Sequence, residues 1–108
     1  MKIIKTKAYE RDYKNKLVKK NKIDEINRET FIIRALKVNN NLYDALNDSY
    51  LKTRRFEKKK GNLKEFYTAR LNDKIRIIMR PVGEYPYNTI LIDEIVFEEV
   101  DDSHYGGE

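Results

Sequence analysis

Hydrophobic and polar positions change period several times along the chain, and each change predicts an element. Residues 2–6 (KIIKT) are short and β-prone, a first strand. Over residues 7–20, Tyr9, Tyr13 and Leu17 recur at i, i+4 and i+8 among lysines, one apolar stripe of a helix. Asn21 interrupts. Residues 23–36 then carry Ile26, Phe31, Ile33 and Leu36, a second helix, with Asp24 and Glu25 placed in its first turn where the helix dipole favours them. The link is short, so the two form an antiparallel helical hairpin. After the polar break Asn39-Asn40-Asn41, the spacing of Leu42, Leu46 and Tyr50 predicts a third helix over 42–51. Two apolar-rich segments, 66–71 and 75–79, flank Asn72-Asp73, residues that tolerate the backbone of a tight turn, and read as a β-hairpin. Residues 81–88 (PVGEYPYN) are turn material. Residues 89–100 (TILIDEIVFEEV) are β-branched and apolar, a final strand. The expected order is β-α-α-(α)-β-β-β, with the last three strands in an antiparallel meander packed on N-terminal helices. That is an α+β fold of two layers in one domain spanning residues 1–108.

Alternation gives the hairpin two unlike faces. Ile75, Ile77 and Met79 take one side, and Arg76 and Arg80 take the other. One face suits a core and the other an anion. Charge strengthens this. The net charge of +5 conceals a division: residues 1–80 hold all 23 Lys and Arg beside 10 acids, +13, whereas residues 81–108 hold 8 acids and no Lys or Arg, −8. A basic body suits a polyanion, most commonly a nucleic acid, although a lysine-rich solvated surface gives the same totals. Lys52, Arg54, Arg55, Lys58, Lys59 and Lys60 run straight into the hairpin with Glu57 the one acid among them.

The remaining composition narrows the chemistry. With no cysteine there is no disulfide framework or thiolate metal site, and a single histidine builds no histidine-rich metal centre, so neither metal nor cofactor is expected. No apolar run approaches the roughly 20 residues of a membrane span, and the N-terminus has no signal-peptide pattern, so the expected setting is the cytoplasm. His104, followed by Tyr105, is the one side chain suited to moving a proton near neutral pH. Beside an arginine-bearing sheet this suggests RNA cleavage, in which the ribose hydroxyl attacks the adjacent phosphate. A base takes its proton, an acid protonates the leaving oxygen, and a fixed arginine holds the growing charge. The competing readings are structural. Arg70 can be a surface cation, Arg76 can pair with an acid of the last strand such as Glu94 or Glu98, Glu57 can be a surface acid, and Tyr105 can cap the core. Phe66 and Tyr67 alternate, so one of them belongs to the core.

The order of elements, the motif FYTARLNDKIRIIMR and the terminal His-Tyr pair resemble the RelE/ParE superfamily of toxins from type II toxin–antitoxin systems, most of all the YoeB-like mRNA interferases. The resemblance covers residues 57–81 and 103–105, and weakly the first strand and two helices. It implies a small α+β domain that cleaves messenger RNA in the ribosomal decoding site and is neutralised by an antitoxin wrapped over it. By the same resemblance Arg76 stabilises the cleaved phosphate, His104 is the general acid, Tyr105 orients the substrate and Glu57 is the general base. Lys58, Lys59, Lys60, Lys64, Arg70 and Arg80 are then RNA-binding groups. The expected partners are a cognate antitoxin, mRNA and the ribosome, with no membrane. The assembly is either a homodimer or a toxin–antitoxin hetero-oligomer. Three departures stand out: residues 39–56 are longer than the family's connection, the chain continues past Tyr105 with Gly-Gly-Glu, and Asp101 and Asp102 place negative charge where it favours protonated His104. The alternatives are a ParE-like toxin acting on DNA gyrase, and an inactive module of the same fold that binds only nucleic acid or an antitoxin.

Overall fold

In the computed structural model, which describes residues 1–61 and 64–102, side-chain caps decide where the helices start. Strand β1 (Lys2–Lys5) leads to α1 (Lys7–Tyr13), where the Thr6 hydroxyl accepts from Tyr9 N–H at 3.0 Å. The helix continues through a π-helical turn (Lys14–Val18) and stops at Asn21, whose φ of 54° is the left-handed conformation that asparagine tolerates. Helix α2 (Ile23–Val38) buries Glu29, Ile32 and Leu36. The helix expected over 42–51 is two: α3 (Leu42–Leu46) and α4 (Ser49–Thr53). Asp48 divides them because its carboxylate accepts from Leu51 N–H at 3.0 Å, a cap that starts a new helix.

The sheet has the order β1-β5-β4-β3-β2, with β2 (Glu57–Lys58), β3 (Tyr67–Arg70), β4 (Arg76–Pro81) and β5 (Glu94–Asp101) antiparallel in sequence and β1 parallel to β5. The mainly antiparallel α+β architecture is as expected, with β2 an addition at the edge. The hairpin turn is local chemistry: Asn72 Oδ1 accepts from Lys74 N–H at 2.8 Å and Ile75 N–H at 2.7 Å. The last strand is shorter than the sequence suggests. Residues 89–93 instead serve α3: the Thr89 carbonyl accepts from Tyr43 N–H at 3.1 Å and the Ile92 carbonyl from Leu42 N–H at 2.7 Å. Ile90 and Leu91 are accordingly exposed.

One face of the sheet meets the helices. Ile77, Met79, Ile95, Phe97 and Val100 are fully buried there with Tyr9, Leu17, Ile32 and Leu36. Tyr9 sets its ring edge-on to Phe97, centroids 5.2 Å apart. Of the pair Phe66 and Tyr67, it is Tyr67 that is buried, against Phe56. The opposite face carries the polar members of the strands.

Candidate nucleic-acid interface

On that opposite face, strand register assembles a charged row. Arg70 of β3 lies directly across from Arg76 of β4, and Arg76 lies directly across from Asp101 of β5. Directly opposed residues project from the same face, so the three side chains are neighbours. Glu57 joins them from β2 through its pairing with Thr68, two residues before Arg70. Ile78 and Thr68, both buried, form the floor beside the row.

Arg76 is half-buried. Its burial and the Arg70 guanidinium depress its pKa below the ordinary arginine value. Asp101 and Glu57 act in the opposite direction, and Arg55 adds to the depression. Like charges directly opposed on a sheet are unfavourable, so the Arg70–Arg76 pair favours a nearby anion, a role that Asp101 and Glu57 share within the chain. The acids of the last strand named above as competitors for Arg76 have other partners: Glu98 pairs with Arg80 at 2.7 Å and Glu94 with Lys2 at 4.0 Å. Glu98 reaches Arg80 from an irregularity in the β4–β5 register, where Ile78 faces Glu99 and Met79 faces Phe97.

The structure therefore brings Glu57, Arg70 and Arg76 together. Arg80 stands at the far end of β4 and is ion-paired. Lys58 and Lys60 are exposed and Lys59 half-buried along the β2 edge, while the Lys64 ammonium lies 5.8 Å from the Tyr85 ring centroid. His104 and Tyr105 lie outside the described residues. The chain approaches them under restraint, because Lys16 Nζ donates to the Val100 carbonyl at 2.8 Å and pairs with Asp102 at 3.4 Å, and Lys20 pairs with Asp102 at 3.9 Å. Asp102 thus has two cations beside it and Asp101 faces Arg76, so the negative charge expected around His104 is already opposed. Arg28, Arg54 and Arg55 also gather at the hairpin end. The run at 52–60 signalled the last two; nothing in the spacing of α2 signalled Arg28.

No protein-family model matches the sequence, and no curated protein matches it. Solved structures resemble the fold. The YoeB/ParE toxin from Agrobacterium tumefaciens superposes with a TM-score of 0.61 at 16% identity, covering 97% of this chain and 100% of that one. A copper-bound mutant toxin from Helicobacter pylori gives 0.58 at 13% identity, covering 94% and 93%. Those identities make the likeness one of fold, and it extends over nearly the whole of each chain: the protein has the α+β fold that these two toxins share.

Proposed function

We propose that this protein is the toxin of a type II toxin–antitoxin pair, a single cytoplasmic domain that cleaves messenger RNA, in the ribosome and without a metal. The observation that carries the reading is the row Arg70–Arg76–Asp101 with Glu57 beside it, on the face of the sheet away from the helical core. In this mechanism Arg76 grips the scissile phosphate and holds the charge that develops on it, and Arg70 shares that load. Glu57 removes the proton from the attacking ribose hydroxyl, and its acceptor-only carboxylate suits a base. The general acid is His104, the chain's one histidine. Its Cα is three Cα steps from Asp101, at most about 11 Å, and Asp101 is the cross-strand neighbour of Arg76, so the covalent chain permits it to reach the phosphate. Tyr105 then orients the substrate. The edge lysines Lys58, Lys59, Lys60 and Lys64 supply charge along the RNA backbone. An antitoxin segment is the natural protein partner of such a surface.

The test is a translating extract read by primer extension, with wild type beside Arg76→Ala and His104→Gln. The expected result is new messenger ends that require ribosomes and vanish in both variants. A wild-type protein that arrests growth yet produces no cleavage would sink the ribonuclease mechanism. It would favour the gyrase-directed reading, which the name of the Agrobacterium neighbour also keeps in view.

A further inference from the structure

A second cationic site lies beside Arg76. Arg28 of α2, Thr53, Arg54 and Arg55 at the end of α4, and Arg70, Asn72 and Asp73 of the hairpin surround a cavity of about 380 Å³. Four arginines and one aspartate are among its lining residues. Arg28 is already engaged, donating to the Leu71 carbonyl at 2.8 Å and lying 3.8 Å from Glu25. Among the described residues, no carboxylate lies within ion-pairing distance of Arg54, Arg55 or Arg70.

The backbone holds this cluster in place at a cost. Helix α4 ends with Phe56 N–H donating to the Leu51 carbonyl and Arg55 N–H to the Lys52 carbonyl, both at 3.0 Å. That closure sets Arg55 in the left-handed region, φ 56°. Glycine is the usual occupant of this position, because a side chain there costs roughly 1–2 kcal/mol. The Arg54 carbonyl then accepts from Arg70 N–H at 2.6 Å, tying the end of α4 to the end of β3. An arginine at a position that favours glycine, fixed beside two others without acidic partners, points to a use for the guanidinium itself.

We propose that Arg54, Arg55 and Arg70 form a second phosphate site, which holds a backbone phosphate of a single-stranded RNA adjacent to the one at Arg76. The planar forks of arginines pair bidentately with phosphate oxygens, and a strand that places one phosphate at Arg76 carries the next one a single nucleotide away. Arg70 belongs to both sites, since it lies directly across from Arg76 in the sheet and lines the cavity with Arg54 and Arg55, so one strand can span them. The proposal rests on the ribonuclease reading only for the fate of the neighbouring phosphate; the binding itself is independent of cleavage.

The experiment is equilibrium binding of a short fluorescein-labelled oligoribonucleotide, methylated on every ribose hydroxyl so that it cannot be cleaved. Arg55→Gly and the pair Arg54→Gln/Arg55→Gly are compared with wild type across a salt series. Arg55→Gly relieves the backbone, so its melting temperature should equal or exceed that of wild type while its affinity falls about fivefold. In the double variant the slope of log affinity against log salt should shrink by about 0.7, the share of the one phosphate contact to a single strand that this site makes. Unchanged affinity and slope in the double variant would overturn the site. So would a loss of affinity for a polyglutamate peptide with RNA binding intact, which would reassign the cavity to an acidic protein segment. If the wild type fails to cleave messenger RNA but these binding changes appear, the ribonuclease reading falls and the phosphate site stands.

Discussion

Tyr9, Glu29 and Lys5 join the two layers at a buried point, and removing the Tyr9 hydroxyl tests how much that junction contributes. Tyr9 is fully buried and Glu29 is 3% exposed. The Tyr9 hydroxyl donates to Glu29 Oε2 at 2.9 Å, and Lys5 Nζ lies 3.1 Å from the same oxygen. Lys5 itself is partly in water, 37% exposed at its side chain, so its share is screened. Tyr9→Phe takes one hydrogen bond from a carboxylate that has little access to water. Bonds to charged groups contribute roughly 1.5–3 kcal/mol, and the remaining Lys5 contact places the loss near about 2 kcal/mol. For a domain of this size that is a fall of about 10 °C in melting temperature. Glu29→Ala does more, leaving a buried hydroxyl without its acceptor and a cavity, for a loss of about 3–5 kcal/mol; Glu29→Gln keeps an acceptor and loses less. Urea titration followed by far-ultraviolet circular dichroism measures all three. There is also a signature in pH. Burial, and then the Glu29 carboxylate, push the Tyr9 hydroxyl far above its ordinary value. A raised folded pKa means that the contribution is intact below the unfolded value of about 10 and is lost above it, by about 1.4 kcal/mol per pH unit. Tyr9→Phe should lack that part of the alkaline slope. A Tyr9→Phe protein within about 0.5 kcal/mol of wild type, with the same alkaline slope, would refute the account.

Acid probes the hairpin's attachment to α2. Asn72 donates to Glu25 Oε2 at 2.7 Å, and that bond is the main reason the Glu25 carboxyl sits below the ordinary carboxylate range, with Arg28 adding to it against the effect of burial. A depressed folded pKa contributes stability above the unfolded value of about 4.3 that disappears as pH falls through the folded one, so Glu25→Gln should flatten the acid limb of a stability–pH curve. Gly83 has φ 156°, and a Cβ there would lie 2.5 Å from Ile92 Cδ1; Gly83→Ala should cost about 1–3 kcal/mol in urea unfolding. Glu98→Gln releases Arg80 from a pair that is 44% exposed on the arginine side. Stability should change by less than about 1 kcal/mol, while RNA affinity in the same oligonucleotide assay rises about twofold.

What the chain's own sequence determines here is what short-range physics can carry. The helical stripe of Tyr9, Tyr13 and Leu17, the alternation from Ile75 to Arg80 and the Asn72 turn each depend on residues a few positions apart, and all three stand in the structure as their patterns require. The resemblance in the hairpin motif likewise pointed to the fold that the solved toxins share. Tertiary structure decided the rest, because the deciding contacts cross long stretches of chain. Carbonyls of Thr89 and Ile92 take the first amides of α3, which shortens the last strand. Lys16 and Lys20 reach Asp102 and offset the acidic end that looked uncompensated in the composition. The Arg70–Arg54 backbone bond draws the basic run against the hairpin, and register alone sets Arg76 between Arg70 and Asp101. A local pattern specifies which face a side chain takes; which distant charge shares that face depends on strand order and register, and these are settled only when the layers pack.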